Sequence, residues 1–129
     1  MTPSPALFQS VPEKDYFSFL PKGKPPEFQE IVNFFNFKGH DVAKAADVSE
    51  KSVRYDEKMP VELQERLREW AILVNLVAEF FKGDLERTVQ WFKMPNPLLG
   101  YISPRDMIRV GRFKKLLKFI ISAIDENRR

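Results

Sequence analysis

The sequence predicts an all-α fold on three observations. From Glu27 onward apolar residues recur at helical spacing, no stretch sustains the period-two alternation of a half-buried strand, and Pro, Gly, Ser and Asp punctuate the chain at helix-length intervals. The expected architecture is a helix-turn-helix lobe followed by a small helical domain. Residues 1–26 read as an extended proline-rich arm, 27–59 as the helix-turn-helix-like lobe, 60–82 as a long connecting helix and 83–129 as the carboxyl-terminal helical domain.

Six of the ten prolines fall in the first 26 residues, so the arm cannot hold a regular helix. It also carries Phe8, Tyr16, Phe17 and Phe19, which a solvated linker would avoid, and these are expected to dock on the folded body. After Pro25-Pro26 a first helix is predicted over 27–37. It places Phe28, Ile31, Val32, Phe34 and Phe35 on an apolar stripe, and Lys38-Gly39 ends it. A short helix over 41–46 follows, then a turn at Asp47-Val48. A second short helix opens there with Ser49 as cap and Glu50 in its first turn.

Pro60 suits the first position of the long helix, in which Leu63, Leu67, Trp70, Val74, Val77 and Phe81 are spaced 4-3-4-3-4. Such a seam packs in the core or on a second copy, the core having the stronger claim. Glu62-Arg66 and Glu65-Arg68 read as solvated surface pairs. Gly83 closes this helix and Asp84 caps the next, which runs to about Lys93. A loop over 94–102 carries two helix-breaking prolines. Ser103-Pro104 then opens a short helix that Gly111 ends, and a last helix over 112–125 buries Phe113, Leu116, Leu117, Ile120, Ile121 and Ile124. The polar tail 126–129 is expected to fray.

The chain has 129 residues, 43% hydrophobic, with twelve Phe, three Tyr and two Trp, enough apolar bulk to fold without staples. Its single histidine, His40, and its lack of cysteine exclude a Cys/His zinc site, a disulfide framework and a thiol nucleophile. No metal or cofactor is expected. The five dispersed glycines make no phosphate loop, no nucleophile has a base beside it, and an enzyme is not expected. The start lacks a basic region followed by an apolar run, and the longest apolar stretch, over 70–81, is shorter than the roughly 20 residues a membrane span needs. A cytoplasmic protein with no membrane partner is therefore expected.

Two basic clusters stand out in a chain of net charge +3. In 42–53, small Ala43 allows close helix crossing, and Val42, Ala46, Val48 and Val53 supply a small core, as in a helix-turn-helix. The second helix would present Lys51, Ser52, Arg54 and Tyr55 to a DNA groove. Against this, Asp47 stands where glycine commonly makes the turn, and acidic Glu50, Asp56 and Glu57 flank the reading face. A plain helical hairpin is the other interpretation. The denser cluster is Arg105, Arg109, Arg112, Lys114, Lys115 and Lys118, relieved only by Asp106; it suits a solvated helix face, DNA phosphates or an acidic partner surface.

The stretch 84–121 contains Thr88-Val89-Gln90-Trp91-Phe92, Pro95-Asn96-Pro97-Leu98-Leu99-Gly100, Ser103-Pro104-Arg105-Asp106-Met107 and Gly111-Arg112. In this order it resembles the toxin-binding domain of Xre/MbcA/ParS-type antitoxins, whose pattern is a tryptophan before an Asn-Pro-x-Leu-Gly turn, a Ser/Thr-Pro helix start and a glycine. With the upstream motif the resemblance covers roughly residues 27–124. It implies a bacterial type II antitoxin that neutralises an NAD-consuming RES-domain toxin by occlusion, forms a homodimer through the long helix or the carboxyl-terminal domain, and represses its own promoter DNA. The resemblance makes Trp91 a core anchor, Gly100 a turn and Ser103 a cap, with Pro97, Pro104 and Gly111 also structural. It makes Asn96, Leu98, Arg105, Arg109 and Arg112 the candidates for toxin contact. The alternative is a stand-alone helix-turn-helix regulator that uses the carboxyl-terminal domain to dimerise.

Overall fold

A computed structural model describes residues 14–127 and is all-α over that span. Its helices are α1 (Phe28–Phe35), α2 (Gly39–Ala46), α3 (Val61–Phe80), α4 (Leu85–Lys93), α5 (Pro104–Arg109) and α6 (Phe113–Asn127), with single 3-10 turns at Glu50–Ser52 and Pro97–Leu99. The early part of the arm, Phe8 included, lies outside the described residues, as does the end of the polar tail.

The long helix α3 is the axis of the fold, and α1, α2, α4 and α6 all pack on it. Its predicted seam turns inward: Leu63, Leu67, Trp70, Val74 and Val77 are buried and Phe81 is half-buried. Between Trp70 and Ala78 every residue but half-buried Ile72 is buried, so this half of α3 is enclosed on all sides. The seam is used within the chain, which removes it as a surface for a second copy. One core cluster joins Phe19, α1, α2, α3, Phe92 of α4, α5 and α6, so the two expected lobes share their interior.

Several boundaries move for local reasons. Helix α1 stops at Asn36, in the left-handed region at φ 55°, before Lys38-Gly39 is reached. Gly39 instead begins α2, where the Lys38 N–H donates to Asp41 Oδ2 at 2.9 Å. At the other end of α2, Asp47 takes the left-handed turn at φ 57°, a conformation its short polar side chain tolerates. Helix α6 continues to Asn127.

Of the arm, residues 15–20 form turns packed on the core. Asp15 accepts the Phe19 N–H at 3.1 Å and the Leu20 N–H at 2.7 Å, while Phe19 itself is buried. Asn75, enclosed within α3, holds this segment from below: its Oδ1 accepts the Tyr16 N–H at 3.0 Å and its Nδ2 donates to Asp15 at 3.2 Å. The polar break in the apolar helix is therefore a paired group, as a buried amide must be. Tyr16 also lies against Gly83 at φ 81°, where an added Cβ would sit 2.8 Å from the ring.

Arg66 reaches Glu69, with which it makes a close ion pair, and Glu65 at 3.7 Å. Glu69 is buried, so Arg66, expected in a solvated pair with Glu62, also serves a carboxylate enclosed by the fold.

Candidate protein-binding face

The loop after α4 is built by its own short-range hydrogen bonds. Lys93 ends α4 and Met94 leaves in extended conformation. Asn96 caps the following turn, its Oδ1 accepting the Leu98 N–H at 2.9 Å, with Pro97 at the first position where no N–H is needed. Gly100 and Tyr101 then both adopt the left-handed region, at φ 72° and 67°. The chain returns so that the Asn96 carbonyl accepts the Tyr101 N–H at 2.9 Å and the Asn96 N–H donates to Ile102 at 3.2 Å. Ser103 caps α5 by accepting the Asp106 N–H at 3.1 Å, and Pro104 occupies the first turn. Gly111, at φ 86°, makes the turn between α5 and α6.

This closed loop throws three large apolar side chains into solvent: Met94 is 60% exposed, Leu98 79% and Tyr101 73%. Of these, Tyr101 borders a cleft of about 500 Å³ that is also lined by Lys93, Ser103, Asp106, Arg109 and Arg112, among others. Arg109 Nε donates to Asp106 at 2.9 Å. Burial pushes the Asp106 carboxyl up, but hydrogen bonds from Arg109 and Ser103 and the charges of Arg109 and Arg105 outweigh it and hold the group below its ordinary range. Lys93 and Arg112 are exposed, and neither has an ion-pair partner among the described residues. The cleft can therefore take a carboxylate, and the apolar rim beside it can exclude water around that contact.

Of the residues expected to contact a partner, Leu98, Arg109 and Arg112 reach this face, while Asn96 spends its side chain on the turn. Arg105 does not belong to the face. Its guanidinium turns inward, where Nε donates to the Phe35 carbonyl, Nη2 donates to the Asn36 carbonyl at 3.0 Å, and the group lies 4.9 Å from the Phe37 ring centre. The carbonyls that end α1 have no partner within their own helix, so a cation there is favoured. Trp91 is also corrected: it is half-buried, and Phe92 supplies the core anchor, 5.5 Å from Phe35 and 5.6 Å from Phe34 between ring centres. Met94 and Tyr101 were not among the candidates. Their signal is an apolar residue in a loop already closed by backbone hydrogen bonds.

The predicted groove-reading helix is absent. Residues Glu50–Ser52 make one 3-10 turn and Val53 is extended, so Lys51, Ser52, Arg54 and Tyr55 do not share a helix face. Ser49 and Ser52 join through their hydroxyls at 2.8 Å instead of Ser49 capping a helix. Arg54 is clamped by both oxygens of Asp56, at 2.7 and 2.5 Å. That hydrogen bonding lowers the Asp56 pKa, and burial raises that of half-buried Tyr55.

Comparison with protein-family models, curated proteins and solved structures finds no match to this chain. No described helix is long and apolar enough to cross a membrane.

Proposed function

We propose that this protein is an antitoxin that binds and occludes a toxin enzyme of the RES-domain type through the loop face after α4. The observation that carries this is the meeting of exposed Tyr101, on the same preformed loop as exposed Leu98, with Lys93 and Arg112, which have no ion-pair partner among the described residues, around one cleft. Apolar anchors beside cations free of internal partners are the composition of a protein-binding surface rather than of a solvated helix face. The similarity of 84–121 to the antitoxin domain supplies the partner class. Occlusion fits a chain that offers an exposed apolar and cationic surface.

The test is coexpression with the toxin encoded by the neighbouring gene. Wild type is expected to restore growth and to copurify with the toxin. Leu98→Asp or Arg112→Glu is expected to lose rescue while remaining folded, because both side chains are exposed. Arg54→Ala is expected to rescue fully, since Arg54 is held by Asp56 far from the loop in sequence. Failure of the wild type to rescue overturns the proposal.

A further inference from the structure

A second concavity, of about 1160 Å³, lies between the end of α2, the first half of α3 and the first half of α6. It exceeds the roughly 300–1,000 Å³ of sites built for small molecules and has the form of a groove between helices. Phe113, Leu117 and Ile121 line it from α6, and their four-residue spacing makes one apolar ridge. Trp70 lies beneath. Lys114 and Lys118 also line it, exposed and without ion-pair partners among the described residues. The Glu69 charge in the lining is matched by Arg66 and also feels Lys114. The lining as a whole carries five cations and three carboxylates.

We propose that this groove docks an amphipathic helix of another protein, with an apolar stripe on the part-exposed Phe113 and Ile121 of the α6 ridge, above buried Trp70, and carboxylates facing Lys114 and Lys118. The excess of cations in the lining favours carboxylates on the occupant, and an apolar groove between helices is a recurring seat for an amphipathic helix. A second copy of this chain does not supply such a helix. Among the described residues the exposed large apolar side chains, such as Val61, Phe80 and Leu85, sit at helix ends or in loops and make no stripe. The groove meets the loop-face cleft at Arg112, which lines both, while Phe113, Leu117 and Ile121 line the groove alone, and its occupant need not be the toxin.

The full chain, labelled with nitrogen-15, would be titrated with two synthetic helical peptides of about 18 residues, or five turns. Both carry the same leucine stripe, one with glutamates along one edge and the other with lysines there. The acidic peptide is expected to shift the Trp70 indole signal and the amides of residues 113–121, and to bind about tenfold or more tightly than the basic one. The double variant Lys114→Glu/Lys118→Glu is expected to reverse that order. Should the double variant lose its fold, Lys118→Gln with a salt titration replaces it, and weaker binding in both is the supporting result. Equal affinity for the two peptides, no shifts, or shifts confined to other surfaces overturn the proposal. So do groove shifts that grow with protein concentration in the absence of peptide, which assign the groove to a second copy. None of these readouts uses the toxin, so the antitoxin reading can fail while this one stands.

Discussion

A guanidinium can satisfy two carbonyls and an aromatic face together because its donors are fixed in a plane. Arg105 does all three, tying α5 to the end of α1 through Phe35, Asn36 and Phe37. Arg105→Ala is expected to lower unfolding free energy by about 1.5–3 kcal/mol, the range for hydrogen bonds involving a charged group, as read by urea denaturation. Arg105→Lys should recover only part of it, since an ammonium cannot reproduce the planar contact. Equal stability of Arg105→Ala and wild type would refute the clamp. Spacing alone showed that Arg105 belongs to a basic cluster; it could not show that the carbonyls of Phe35 and Asn36 lie within reach. Glu69 gives a second residue-scale test. Burial raises its carboxyl pKa, and Arg66 opposes that without cancelling it. A raised carboxylate pKa means the folded state holds its proton longer, so this contribution is present below the unfolded value and lost as pH rises through the folded one. The stability advantage of wild type over Glu69→Gln should therefore shrink as pH rises from about 4 to 7, in paired urea titrations. A difference that grows with pH contradicts the assignment.

At the scale of elements, helices were legible wherever a stop or start is carried by local chemistry. Asp84, Ser103-Pro104 and Gly111 do what their residue types dictate, and α3 keeps the seam its spacing shows. The second helix of the predicted helix-turn-helix failed for a physical reason as well. Glu50–Ser52 make one turn, the Ser49 and Ser52 hydroxyls bond each other, and the chain then runs irregularly through a second turn at 56–58 before Pro60. The arm was legible as irregular but not in its attachment, because the contact between Asp15 and Asn75 spans 60 positions. Asp15→Ala removes three acceptor contacts, to the amides of Phe19 and Leu20 and to Asn75. Hydrogen exchange at Phe19 and Leu20 is expected to rise by about tenfold or more, the equivalent of roughly 1.4 kcal/mol of local protection, while the centre of α3 exchanges as in wild type. Unchanged exchange at those amides would show that apolar packing alone holds the segment.

For the molecule as a whole, the shared core matters more than the lobes the sequence suggests. Trp70, Phe35 and Phe92 come from α3, α1 and α4 and meet in one aromatic cluster, with Phe35 6.0 Å from Trp70 and 5.5 Å from Phe92 between ring centres. Thermal unfolding followed by far-ultraviolet and by Trp signals is expected to give coincident transitions, as for a two-state domain of this size. Two separated transitions would instead indicate lobes that unfold independently. Truncation of Trp70 to Ala should cost about 3–5 kcal/mol and lower both probes together.

The loop that carries Leu98 and Tyr101 is closed by bonds from Asn96 to Leu98, Tyr101 and Ile102, and these do not depend on any partner. A loop ordered by its own hydrogen bonds would give up little entropy on docking, so under the proposed function encounters between correctly oriented molecules would be productive at first contact. The association rate should then be governed by diffusion and charge, about 10⁵–10⁷ M⁻¹s⁻¹ without steering and higher at low salt against an acidic partner. Substitutions at Leu98 would be felt mainly in how long the complex lasts. A protein whose task is to reach its target quickly gains from keeping that loop folded while it waits.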